Sequence, residues 1–97
     1  MKYAVYTKWH WPSGVLSKEK IRDFHRQLKS EGTTAEDVIW WVIDDYHHQS
    51  LVIYPSIIAA NAEKADREVD REDAANNRDL ILLEETMGPI YSQLSAL

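Results

Sequence analysis

The chain has no cysteine, so it holds no disulfide framework, no thiolate nucleophile and no thiolate-bound metal, as expected of a reducing compartment. Glycine and proline number three each, and no repeat or low-complexity segment is present. Basic charge is thin: eleven Lys and Arg are scattered among sixteen Asp and Glu, for a net charge of −5. Phosphate binding requires a concentrated basic face, so this balance argues against a nucleic-acid partner. Long apolar runs are missing too, and the opening residues Met1 to Lys8 mix Lys and Tyr with few aliphatics. Nothing approaches a signal-peptide core or a membrane span, so the expectation is a soluble, cytoplasmic protein with no membrane partner. The chain also lacks a Gly-rich phosphate loop, a Gly-x-Ser-x-Gly elbow and a His-Glu-x-x-His pair. Nucleotide-dependent, serine-hydrolase and zincin chemistries are therefore unsupported.

What is present is a single domain spanning residues 1–97, long enough to bury roughly two-thirds of its extended-chain surface. Hydrophobic residues make up 44% of it, with four Trp and five Tyr, a globular composition unusually rich in Trp. Lys2 to Trp9 alternates β-favouring residues and predicts strand one. His10 to Gly14 breaks it through Pro12 and Gly14. Ser17 is placed to cap a helix whose apolar positions Ile21, Phe24, His25 and Leu28 follow helical spacing. Leu16 and Ile21 stand at hydrophobic-staple positions, and Gly32 is placed to end that helix.

Glu36 to Asp44 reads as strand two and Ser50 to Tyr54 as strand three, joined through residues 45–49 as a hairpin. Within strand two, Val38 to Ile43 is apolar at every position. A strand with one wet face alternates, so this run predicts burial on both faces, and the second cover must come from a partner subunit. Pro55-Ser56 stops strand three. Ile58, Ala62, Ala65 and Val69 then predict the buried stripe of a second helix reaching Asn76, with Glu63–Arg67 and Lys64–Glu68 pairs on its wet side. Leu80 to Thr86 suits either helix or a buried strand by composition and is read as strand four, ended by Gly88-Pro89, with a helical turn at the tail.

The predicted class is α+β with the order βαββαβ: a ferredoxin-like antiparallel sheet carrying two helices on one face. The opening Met1 to Trp9, the Trp-rich central strand with its hairpin into Leu51-Val52-Ile53, and the closing Leu83 to Ile90 resemble the small dimeric α+β barrel proteins. That superfamily includes antibiotic-biosynthesis monooxygenase-like proteins and many members of unknown function. The resemblance implies two sheets packed face to face in a homodimer, and cofactor-independent oxygenation or isomerisation as chemistry. Haem-degrading members carry a histidine on the second helix. This chain has none between Ser56 and Asn76, which argues against haem oxygenation.

Candidate ligand-binding residues are Tyr6, Trp9, Trp11, Phe24, Trp41 and Tyr54, with Tyr3 and Trp40 in the same aromatic set. Such rings offer large contact area and a few orienting donors to an apolar aromatic or fatty-acyl-like molecule. Ala62 and Ala65 opposite the sheet would leave room for it. The same rings would equally fill a core and a dimer interface, which makes a non-catalytic homodimer the alternative. His25, on the apolar face of the first helix, is the candidate catalytic base. Glu84 and Glu85 are further carboxylates, one expected to face solvent. His47-His48 with Asp44 and Asp45 lack any recognised ligand spacing, so no metal site and no cofactor are predicted.

Overall fold

A computed structural model describes residues 1–77 and 79–97. Its elements are β1 (Tyr3–His10), α1 (Lys18–Glu31), β2 (Asp37–Asp44), β3 (His47–Tyr54), α2 (Ile57–Ala62), α3 (Lys64–Asn77) and β4 (Ile81–Pro89), with a short 3₁₀ turn at Leu94–Ala96. The class is α+β. The four strands form one sheet in the order β2-β3-β1-β4, and every neighbouring pair is antiparallel. Each crossover, β1–α1–β2 and β3–α2–α3–β4, joins two strands separated by a third. β2 is thus an edge strand, not a central one.

Strand β3 begins three residues earlier than expected. Only Asp45 and Tyr46 form the turn, and His47, His48 and Gln49 pair in register with His10, Trp9 and Lys8. The Asp44 carboxylate accepts from the Tyr46 amide at 2.8 Å, an aspartate-stabilised turn that lets two residues reverse the chain. The loop after β1 docks on this tip: the Trp11 amide donates to the Tyr46 carbonyl and that of Val15 to the Asp45 carbonyl. Gly14, at φ +92°, supplies the left-handed residue which that approach requires.

The second helix is divided. Glu63 ends α2, and its carboxylate turns to the loop after α1, accepting from the Thr33 hydroxyl at 2.8 Å and the Thr34 amide at 3.1 Å. At the interruption the Ala60 carbonyl accepts from the Glu63 amide at 3.3 Å and from the Arg67 guanidinium at 2.6 Å. The division also rotates the buried stripe. Ala60, Glu63, Arg67, Arg71 and Ala74 face the protein, whereas Ile58 and Val69 are 78% and 66% exposed and Ala62 and Ala65 lie outside. The expected stripe is therefore displaced around the helix, because the inward charges find partners: Arg67 binds the Tyr54 hydroxyl at 3.1 Å and Arg71 pairs with Glu85.

The expected strand over Leu80 to Thr86 is β4, which begins at Ile81, one residue later, and continues to Pro89. The tail forms its turn, but Leu94 and Leu97 stay exposed. The tight core is small, with Val5, Tyr54 and Ala60 at its centre and Tyr3, Ala35, Val52 and Ala59 around it. None of the residues of α1 is buried. Its Ser17 cap accepts from the Lys20 amide at 3.3 Å and Gly32 closes it through the Leu28 carbonyl, so the helix is well terminated yet loosely covered. Among the described residues no helix is long and apolar enough to cross a membrane.

Candidate functional site

Because strand side chains alternate, Val5, Thr7 and Trp9 of β1, Val38 and Trp40 of β2, and His48, Ser50 and Val52 of β3 share the face turned toward the helices. Above them α1 presents Ile21, Phe24, His25 and Leu28. The space between is a half-open cavity of about 230 Å³, lined also by Trp11 and Leu16 and by Arg67, Asp70, Arg71, Ala74 and Leu80.

The polar centre of this cavity is His48, which is only 5% exposed. The Trp11 indole N–H donates to its Nδ1 at 2.7 Å, and the Trp40 ring stacks on it at 4.0 Å between centroids. Burial lowers its pKa from 6.5 to about 4, so the ring is neutral at physiological pH. With Nδ1 accepting, the neutral tautomer carries its proton on Nε2. Beside it, Thr7 and Ser50 exchange a buried hydroxyl–hydroxyl bond of 2.8 Å. The cavity thus offers aromatic walls, one oriented imidazole and a hydroxyl pair.

The expected site residues divide between two faces. Trp9, Trp11, Phe24 and His25 line the cavity. His25 also borders an open cleft of about 460 Å³ under the C-terminal half of α1, with Gly32, Thr33 and Asp37. Tyr54 lies in the tight core, where burial pushes its hydroxyl pKa up despite the Arg67 guanidinium. Tyr6 and Trp41 stand on the opposite face and do not reach the cavity. Tyr6 and Trp9 differ by an odd number of positions on one strand, so they cannot share a face, and Trp40 and Trp41 are separated for the same reason. Ala62 and Ala65 do not line the cavity.

His48 is the residue that sequence reasoning missed. The hairpin pattern places it in the connection, where a histidine is ordinarily solvated. Its signal is period two: His48, Ser50, Val52 and Tyr54 form one continuous face once the strand is extended back to the turn.

The opposite face carries a different arrangement. Trp41 Nε1 donates to Gln49 Oε1 at 2.8 Å, Gln49 Nε2 donates to the Tyr6 hydroxyl at 2.6 Å, and Tyr6 donates to Glu84 at 3.4 Å. This hydrogen-bonded row crosses all four strands. On the same face, at the hairpin end of β1 and β3, His10 Nδ1 lies 3.1 Å from His47 Nε2, and His47 Nδ1 lies 2.8 Å from Asp44 Oδ1. The Tyr46 amide and the His47 ring hold the Asp44 carboxyl below its usual range. Glu84 and Glu85 separate likewise, Glu84 to this face and Glu85 to Arg71 on the helix side. Among the described residues no three His, Asp or Glu side chains gather as a metal-binding group.

No protein-family model matches the chain, and no curated protein or solved structure matches it significantly.

Proposed function

We propose that the chain binds a small aromatic molecule in the cavity beneath α1 and works as a homodimer. The observation that carries this reading is a buried neutral imidazole, fixed by the Trp11 indole, in a cavity whose walls combine Trp and Phe rings with aliphatic side chains and whose lining also includes Arg67, Asp70 and Arg71. A ring held so can donate from Nε2 to a carbonyl or phenolate oxygen, while Trp9, Trp40 and Phe24 receive the ligand's flat faces. Size narrows the class. An enclosed cavity of about 150 Å³ admits benzene, so 230 Å³ has room for one or two fused rings.

The resemblance to monooxygenase-like proteins makes cofactor-independent oxygenation or isomerisation of such a ligand the chemistry to test, with His25 as base at the cavity wall. The interleaved crossovers and fully antiparallel sheet support a ferredoxin-like reading, from which the divided second helix is a departure. Face-to-face pairing of two sheets is supported by the uncovered side of edge strand β2, where Ile39, Trp41 and Ile43 are exposed. A non-catalytic homodimer is the competing reading, and the exposed row favours it equally.

The test is a titration of the full chain with naphthols, benzoquinones and aromatic ketones, followed by Trp fluorescence, with palmitate as the long-chain contrast. Saturable quenching by a one- or two-ring compound, weakened at least about tenfold in His48→Phe, is the expected result. Absence of saturable binding across the panel leaves the structural homodimer.

A further inference from the structure

We infer that His10 and His47 form a two-imidazole site for a divalent transition-metal cation on the face of the sheet turned away from the helices. The two residues are directly opposite in the β1–β3 register, so their side chains leave the same face side by side. Their rings lie 4.7 Å apart between centroids at a 40° tilt, and the facing nitrogens are 3.1 Å apart. With imidazole–metal bonds of about 2.0–2.1 Å, two nitrogens at that separation subtend an angle of about 100° at a shared ion. That value falls between the octahedral and tetrahedral angles; the two nitrogens face each other, so each ring turns by about 40° to aim at a shared ion, a side-chain rotation that leaves both strands in place.

Asp44 supplies the second feature of such a site. Its carboxylate accepts from His47 Nδ1, which fixes the tautomer and turns the Nε2 lone pair toward His10. A carboxylate behind a ligating histidine orients the ring and raises its basicity. Asp44 itself is held by the Tyr46 amide within the two-residue turn, so the orienting group belongs to the hairpin's own geometry. The protein offers two nitrogen ligands to the ion. Imidazole pairs favour borderline cations, with Cu²⁺ strongest in the usual order and Ni²⁺ and Zn²⁺ weaker. The competing account is a plain imidazole–imidazole hydrogen bond, with His10 Nδ1–H donating to His47 Nε2.

Titrating the metal-free full chain with Cu²⁺ near neutral pH, read by electron paramagnetic resonance and calorimetry, separates the two. The expected result is about one Cu²⁺ per chain with hyperfine coupling to two nitrogens. His10→Asn and His47→Asn each remove one coupled nitrogen and weaken binding at least about tenfold, and Asp44→Asn keeps both nitrogens but weakens binding about tenfold. His25→Asn leaves the site unchanged. In the unsubstituted protein, sub-stoichiometric Cu²⁺ broadens the imidazole resonances of His10 and His47 ahead of those of His25 and His48, which tests the site without relying on any variant's folding. Equal binding by wild type and His47→Asn, or broadening that spares His10 and His47, overturns the proposal in favour of the plain hydrogen bond.

Discussion

The two faces of the sheet are built from alternate residues of the same strands, yet they solve opposite problems. Toward the helices, Val5, Trp9, Trp40 and His48 enclose apolar space around one imidazole. Away from them, Tyr6, Trp41, Gln49, His10 and His47 join into hydrogen-bonded rows open to solvent. Trp40 and Trp41 express the contrast most directly. The first stacks on a buried histidine, whereas the second is 39% exposed and spends its indole N–H on a glutamine. A tryptophan is therefore a wall on one side and a polar-tipped surface residue on the other, and the choice rests on one position of register.

The comparison breaks most forcefully at Tyr54, which anchors the helix-side core. Tyr54→Ala is expected to cost about 3–5 kcal/mol of unfolding free energy, because it removes a buried ring and strands the Arg67 guanidinium. Urea denaturation measures it, and a cost below about 2 kcal/mol would show that this core carries less than its burial implies.

His48 gives the helix side an acid sensitivity. Its folded pKa of about 4 lies below the ordinary 6.5, so the unfolded chain takes up the proton first. The stability conferred by the neutral ring is complete above about pH 6.5 and is lost as pH falls toward 4, by about 3 kcal/mol at most. Urea midpoints across that window should decline in wild type and flatten in His48→Phe. Equal slopes in the two proteins would mean that the ring is not desolvated.

The outer face is tested by association. Ile39→Lys places a charge amid the exposed side of β2 and is expected to weaken a homodimer at least about tenfold, roughly 1.4 kcal/mol, without unfolding the chain. Sedimentation equilibrium reads this directly, and a wild type that is monomeric at micromolar concentration removes the dimer altogether. The smallest effect is expected at Phe24, 52% exposed on a helix with no buried residue. Phe24→Ala should cost about 1 kcal/mol or less in stability while lowering ligand affinity several-fold. A large stability loss with unchanged ligand binding would make Phe24 a core residue and the cavity an artefact of its packing.

Much of the architecture was legible because it rests on local chemistry. Ser17 and Gly32 bracket α1 through their own backbone preferences, Pro55-Ser56 ends β3, and the opening alternation sets β1. The site was legible in its residue types but not in its membership. Trp9, Trp11, Phe24 and His25 were named for the cavity, and so were Tyr6, Trp41 and Tyr54, which lie elsewhere. Parity along β1 would have excluded Tyr6 once Trp9 was accepted. Nothing local distinguishes Trp40 from Trp41, since both neighbours are apolar and either register buries a ring. The helix stripe was misread because Ala62, Ala65 and Val69 obey helical spacing as well as Ala60, Arg67 and Ala74 do. Only Glu63 reaching Thr33 and Thr34, and Arg67 and Arg71 finding Tyr54 and Glu85, settle which side turns inward.

By itself, then, the sequence determined the elements and most of their ends, since capping, turn chemistry and strand alternation act over a few neighbouring residues. Tertiary structure decided which face each aromatic serves, which side of the second helical segment turns inward, and which histidines meet. Those outcomes depend on pairing between segments some forty residues apart, such as His10 with His47 and Trp11 with His48. No local preference encodes that pairing; the register of β1 against β3 does.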